Sequence, residues 1–409
     1  MTVLKILSYV QHLYGVGHVF RAKRVAEALS ARGHAVDLVL GGFEVPGLRV
    51  DGPTRHQLTP IRTVDGTYQH LVTREDRPID DALMDERRDA LLALYDTARP
   101  DVLVLEGFPL ARRKFRFELI PLLERAKASD PRPLVVVSAR DVLQRPARAK
   151  RIDEALQTFA DFCDALLVHG DAAGSAMTES FPELAKLQGQ THFTGLVGPV
   201  QTRASGSGSD ADVTGVDVVV SAGGGAVGET LLRAAIQGKP LSRMAKARWL
   251  VLAGPNLADD AFAELGDLAA THDVRLERFH PDLRGVMQNA ALSISQAGYN
   301  TVADVLTTAC RAVFVPFAEH GQNEQPARAH ALQAIGRAMV VDEAGLTPER
   351  LARAIDAALA LPEPIPRAFD GAVESAKIVE RLASDRPASN KHQTGITDDL
   401  HQRRLGPTY

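Results

Sequence analysis

Residues 291–335 read ALSISQAGYNTVADVLTTACRAVFVPFAEHGQNEQPARAHALQAI. Ala291 to Ser295 is a short apolar run, and Val302, Val305, Leu306 and Ala309 follow at helical spacing. A second run from Ala312 to Val315 stops at Pro316. The next helix carries Ala329, Leu332 and Ile335, with Pro326 suited to its first turn. Strand, turn and helix repeated in this way predict a parallel sheet. Working upstream, the same alternation gives strands at Val216–Val220, Trp249–Ala253 and Val274–Leu276. An earlier series runs through Val3–Val10, Ala35–Leu40, Val102–Leu105, Leu134–Val137 and Ala165–Val168. Between the two series, residues 205–212 read SGSGSDAD, which is linker composition. The expected architecture is α/β, with two Rossmann-like doubly wound domains and a cleft between them. The domains are 1–200 and 216–383, joined by a linker at 201–215, and 384–409 is a polar, unstructured tail.

Length agrees with two domains, because a single hydrophobic core stops growing near 250–300 residues and the chain has 409. With 47 basic and 51 acidic residues, the net charge is −4, so no chain-wide basic footprint for nucleic acid exists. Cys163 and Cys310 are too few for a disulfide framework or a four-cysteine zinc site, and a reducing cytoplasm is the simpler reading. The first apolar run is broken by Lys5 and Ser8, unlike a signal peptide. No stretch approaches the ~20 apolar residues that span a bilayer. Arg112, Arg113, Lys114 and Arg116 beside Phe115, Phe117, Leu119 and Ile120 leave peripheral contact with anionic lipid open; a solvated helix face is the plainer reading.

The first strand leads into Gly15, Gly17 and His18, with Arg21 one turn further on. Ala22, Val25, Ala26 and Leu29 then fall on one helical face. Loops at the carboxyl ends of parallel strands face the ligand crevice. A helix amino terminus disfavours positive charge, which keeps His18 neutral and able to accept a proton as a general base. The alternative is a tight turn with a capping histidine. Phe20 stands where a dinucleotide fingerprint needs its third glycine, which argues against a nicotinamide cofactor. No cofactor is expected.

In the second series, Gly223, Gly224 and Gly225 lie between a strand and a helix, where consecutive backbone N–H groups make an anion nest. No Gly-Lys-Ser/Thr follows, so this is not an ATPase-type loop. Gly298, Asn300, Thr301 and Asp304 form a second turn and helix start, where Asp304 can accept two hydrogen bonds from a ribose. Thr301-x-x-Asp304 also reads as a capping box. Before the last helix stand Asn323, Glu324 and Gln325, side chains that grip hydroxyls and suggest a sugar, and Arg328 suits either a phosphate or solvent.

The segment from Ser295 through Pro316 to Arg328 resembles the donor-binding region of glycosyltransferase family 28, and Gly15-Val-Gly17-His18-Val-Phe-Arg21 resembles the glycine-histidine loop of the same GT-B fold. The resemblance implies an inverting, metal-independent transfer of a hexosyl group from a nucleotide-diphosphate sugar, usually UDP-linked, to an acceptor hydroxyl that the sequence does not identify. It implies that His18 is the base, that Gly223–Gly225 hold the diphosphate, that Asp304 holds the ribose, that Glu324 and Gln325 hold the sugar, and that Phe279 flanks the nucleobase. Asp210 and Asp212 form an Asp-x-Asp pair, but in linker sequence it reads as linker charge, and no metal site is expected. The first-loop spacing Gly-x-Gly-His is closer to a nucleotide-sugar hydrolase of this fold. A hydrolase or epimerase, and a non-catalytic sugar-nucleotide sensor, are the alternatives. Oligomeric state has no signature here.

Overall fold

The computed structural model describes residues 2–13, 17–45, 48–63, 70–143, 148–170, 180–198, 215–223, 228–318 and 324–386. Gly15, Gly224, Gly225, Asn323, the Asp210/Asp212 pair, nearly all of the linker and most of the tail lie outside these residues.

Both halves are built on buried parallel strands. In the amino-terminal half these are β1 (Lys5–Val10), β2 (Ala35–Leu40) and β3 (Thr54–Gln57). A small antiparallel hairpin, β4 (Arg62–Thr63) and β5 (Leu71–Val72), follows. Then come β6 (Val102–Glu106), β7 (Leu134–Arg140), β8 (Ala165–His169) and β9 (Thr191–Phe193). The sheet order is β3-β2-β1-β6-β7-β8-β9, and every pairing is parallel. Strands covered on both faces need continuous apolar sequence rather than alternation, and Val102-Leu-Val-Leu-Glu106 is buried throughout. One face packs against helices Asp81–Ala98, Arg116–Ala128 and Ala149–Phe162, the other against Gly17–Ala31 and Gly371–Ser384.

The carboxy-terminal half repeats the plan with β10 (Val218–Ser221), β11 (Trp249–Leu252), β12 (Val274–Glu277), β13 (Leu292–Ser295), β14 (Arg311–Phe314) and β15 (Met339–Val340). Their order is β12-β11-β10-β13-β14-β15, again parallel throughout. Strand order reverses beside β1 in one sheet and beside β10 in the other. The resulting crevices, β1/β6 and β10/β13, are the topological switch points where open α/β sheets bind ligands.

The helix Gly371–Ser384 departs from the expected boundary at 383. It leaves the carboxy-terminal half and packs Ala372, Ala376, Ile378 and Val379 against Val19, Ala22, Val25 and Leu29. Glu380 accepts from Arg32 Nε and Nη2 at 2.6 and 2.7 Å and lies 2.9 Å from His34 Nε2. Gly371 permits the crossing: a Cβ there would lie 2.5 Å from the Leu196 carbonyl oxygen. The apolar stripe of this helix reads alike from either side, so sequence alone does not say which sheet it covers.

A buried ion pair anchors the loops around β1. Arg87 donates to both Glu118 carboxylate oxygens at 2.9 Å, to Gln11 Oε1 at 3.1 Å and to the Gly41 carbonyl at 3.0 Å. Tyr9 donates its hydroxyl to the same Glu118. Removing the negative charge leaves the guanidinium buried and unbalanced. Glu118→Gln should therefore lower stability by about 2–3 kcal/mol, read as a shifted midpoint in urea unfolding.

Candidate active site

His18 is the second residue of the helix Gly17–Ala31, at the β1/β6 switch point, with its side chain 15% exposed. Glu106, the last residue of β6, stands beside it, and His18 Nδ1 lies 2.8 Å from Glu106 Oε1. Burial alone would raise the Glu106 pKa, but the Arg21 charge and hydrogen bonds from His18 and Ser138 outweigh it and hold the carboxyl well below its usual range. His18 Nδ1 also lies 3.1 Å from Arg21 Nη2, which can only donate, but the shorter contact is with the ionised Glu106, which can only accept; this favours the tautomer with the proton on Nδ1 and a lone pair on Nε2. Burial, then the nearby Arg112 and Arg21 charges, push the His18 pKa well below 6.5 against the opposing pull of Glu106. The imidazole is thus neutral at physiological pH, and its Nδ1 side is oriented by a carboxylate. In this arrangement Nε2 is able to accept a proton.

A buried chain continues behind the pair. Ser138 Oγ donates to Glu106 Oε2 at 2.6 Å and lies 2.8 Å from His169 Nε2. His169 Nδ1 is 2.8 Å from Thr194 Oγ1. With the Ser138 proton committed to Glu106, His169 Nε2–H donates to Ser138. Burial, then the Arg21 charge, lowers the His169 pKa to about 3, so this ring is neutral too. Glu106, Ser138 and His169 were not among the expected residues. Their signal was present: each ends, or nearly ends, an apolar strand run on the crevice side, where a polar residue is out of place unless it serves a site.

Arg21, expected at a ligand, is instead buried and paired with Glu106. Gly17 faces the other half, where a Cβ would lie 3.2 Å from Asn300 Nδ2. The amino-terminal crevice and the Gly298–Asp304 segment therefore meet across the cleft. The helix there is Tyr299–Leu306, capped by Gly298, so Thr301 sits inside the first turn. This corrects the capping-box reading of Thr301-x-x-Asp304, since Thr301 is not the cap. Asp304 lies near Arg24 and Arg284; burial raises its pKa to about 6, with the two arginines opposing. Asn300 Oδ1 is 3.5 Å from Arg24 Nη1.

Gly223, two residues beyond the end of β10, takes φ +62°, a conformation that favours glycine. Phe279 is 49% exposed beyond β12. Next to it, His280 Nδ1 accepts the Asp282 N–H at 3.2 Å, so its buried Nε2 carries a proton with no acceptor among the described residues. Gln325 Oε1 accepts the Phe317 N–H at 3.1 Å. Glu324 is held by Arg140 of the amino-terminal half at 2.7 Å and by Arg328 at 2.9 Å. Arg328 is buried rather than solvated. It meets both Asp141 oxygens at 2.9 and 3.2 Å and donates to the Ala297 carbonyl at 2.9 Å.

Of the apolar residues beside the basic stretch at 112–116, Phe115 and Leu119 are fully buried and Phe117 and Ile120 partly buried, and Arg113 and Arg116 both pair with Glu154. Among the described residues no helix is long and apolar enough to cross a membrane.

Residues 218–382 match the family model of the glycosyltransferase family 28 C-terminal domain. A UDP-N-acetylglucosamine–N-acetylmuramyl-(pentapeptide) pyrophosphoryl-undecaprenol N-acetylglucosamine transferase of Corynebacterium efficiens is 38% identical over 77 residues, which is 19% of this chain and 21% of that protein. The chain thus spans about a fifth of the length of the curated relatives it matches. Among solved structures, MurG of Acinetobacter baumannii superposes with a TM-score of 0.53 at 15% identity, covering 93% of this chain and 98% of that one. The calicheamicin glycosyltransferase CalG4 gives 0.55 at 16% identity, covering 94% of each. The chain is a two-domain protein of the GT-B fold, and its residues 218–382 resemble the C-terminal domain of glycosyltransferase family 28.

Proposed function

We infer that this protein is an inverting, metal-independent glycosyltransferase that moves a hexosyl group from a nucleotide-diphosphate sugar, UDP-linked by the family resemblance, to an acceptor hydroxyl. One observation carries this reading. A neutral histidine backed by an ionised glutamate stands at one switch point, and Gly17, the residue before it, lies close against Asn300 of the helix start at the other, within the segment that matches the family 28 model.

The roles follow from position. His18 Nε2 takes the proton from the acceptor hydroxyl as that oxygen attacks the anomeric carbon, and Glu106 stabilises the imidazolium that forms. The bond from the anomeric carbon to the diphosphate breaks, and Gly223, Gly224 and Gly225 receive the leaving charge on backbone N–H groups. Asp304 accepts the ribose hydroxyls. Glu324 and Gln325 hold the donor sugar, Phe279 flanks the nucleobase, and Nε2–H of His280 offers the base a donor. Closure of the cleft keeps water from the donor.

The deciding experiment incubates the protein with a panel of nucleotide sugars, with and without cell-extract acceptors, and identifies the sugar product. A new glycoside, lost in His18→Ala, supports transfer. Free sugar formed without acceptor supports a hydrolase, since the same base could take a proton from water. Binding without turnover, unchanged in His18→Ala, leaves a sensor.

Asp304 adds a pH signature. Its pKa in the folded protein is raised to about 6, so the carboxylate is increasingly protonated below that pH. The protonated form is the poorer acceptor for two hydroxyls. UDP affinity should weaken as pH falls through about 6. Asp304→Asn should remove that dependence and weaken binding about tenfold, as titration calorimetry with UDP would show.

A further inference from the structure

Tyr299 is the first residue of the helix Tyr299–Leu306 in the carboxy-terminal half, yet both hydrogen bonds of its hydroxyl are with the amino-terminal half. Its hydroxyl accepts the Val197 N–H at 2.8 Å and donates to the His169 carbonyl at 3.1 Å. Its ring carries the Arg21 guanidinium at 5.2 Å from the centroid and that of Arg328 at 5.6 Å. These two cations lead to opposite ends of the cleft machinery. Arg21 pairs with Glu106, the carboxylate behind His18, and Arg328 clasps Asp141. His169, whose carbonyl receives the tyrosine hydroxyl, holds Ser138 and through it the second oxygen of Glu106.

We propose that Tyr299 is a positioning residue that couples the donor half to the base, because its ring seats Arg21 and its hydroxyl seats His169 only when the two halves are closed. Arg21 and the Ser138–His169 chain fix the two oxygens of Glu106, and Glu106 fixes the tautomer and aim of His18. A cation over a ring face is held electrostatically and strongly in a desolvated site. Withdrawal of Tyr299 as the cleft opens frees Arg21 and the carbonyl of His169 together. The base is then aligned only when the donor-binding helix is in place, which suppresses attack by water on a partly bound donor. The roles assigned to His18 and to the donor rest on the reading above; the coupling itself does not, and it fails or stands separately.

The test uses the full chain. In the ligand-free protein, carbethoxylation of His18 by diethyl pyrocarbonate is followed residue by residue with mass spectrometry, with exposed His330 as the internal reference. Tyr299→Phe keeps the ring and loses both hydroxyl bonds, and His18 should react about fivefold faster. Tyr299→Leu also removes the ring and should give a larger increase; where it fails to fold, the phenylalanine variant decides. Unchanged His18 reactivity in folded Tyr299→Phe overturns the proposal. With a nucleotide sugar that the wild type turns over, Tyr299→Phe should lower kcat about 10- to 100-fold and leave the donor KM within about twofold. A change confined to KM marks a structural role in the donor site and also overturns it. If the wild type turns over no nucleotide sugar, the functional reading fails, and the His18 modification ratio still decides the coupling.

Discussion

Glu106→Gln is expected to lower turnover by about 10³- to 10⁴-fold, the scale seen when the carboxylate behind a catalytic histidine becomes an amide. UDP affinity should stay within about twofold, because the side-chain partners of Glu106 among the described residues, His18, Arg21 and Ser138, all belong to the amino-terminal half. Two things are lost together. An amide can present either a donor or an acceptor to Nδ1, so the tautomer that leaves Nε2 free is no longer enforced. The developing imidazolium also loses its counter-charge. A stability cost accompanies this, since Arg21 stays buried without its partner, and about 3–5 kcal/mol is the usual consequence of breaking such a pair. The depressed Glu106 pKa gives the sign of the acid dependence. A carboxyl whose folded pKa lies below its unfolded value contributes stability above about pH 4, and that contribution is lost as pH falls through the folded value. Glu106→Gln should therefore unfold in acid with a shallower slope than the wild type. A turnover within tenfold of wild type, or an equal loss in UDP affinity, would show that Glu106 does not serve the base.

The fold was legible because buried parallel strands announce themselves as continuous apolar runs. Ala35–Leu40 matches the expected bounds, β7 runs three residues beyond the expected Val137 to Arg140, and the other expected strands agree to within one or two residues. β3 escaped because Thr54-Arg-His-Gln57 is polar, and it survives as an edge strand paired only to β2. The site was half legible. Glycines and a histidine after a strand mark a crevice by local sequence alone, which is how His18 was found. Glu106, Ser138 and His169 are far from it and from one another in the chain, and only the sheet order brings them together. Arg328 misled for the opposite reason. It lies on an ordinary-looking helix, and its burial comes from Asp141 on the other half, 187 positions away. The crossing helix Gly371–Ser384 shows the same limit, since amphipathic spacing tells that a helix is covered and not by what.

Arg328→Ala should loosen the contact between the two halves more than any other single change at the cleft. The guanidinium meets two carboxylates, Asp141 and Glu324, and the buried Ala297 carbonyl. Burial would lower its pKa, but Asp141 and Glu324 outweigh that and raise it, so the charge is secure at every working pH. Truncation leaves two carboxylates in one partly buried site, with Arg140 still paired to Glu324, and it leaves the Ala297 carbonyl without this donor. About 3–5 kcal/mol is the expected cost, visible as a lowered melting temperature and as a larger radius of gyration by small-angle scattering. Arg328→Lys tests the geometry. Lysine restores the charge but not the planar fork that meets Asp141 with two nitrogens, so it should recover less than half of the loss. Glu324 supplies the functional consequence. Without Arg328 it is held only by Arg140, and a donor that needs the Glu324 oxygens must draw them from a side chain that now swings with the opposite half. UDP, which lacks the sugar, should bind Arg328→Ala almost as it binds the wild type, whereas the intact nucleotide sugar should bind about tenfold more weakly. Equal weakening of both ligands would place the effect on the nucleotide side, and unchanged scattering and melting would show that Arg328 does not hold the halves together.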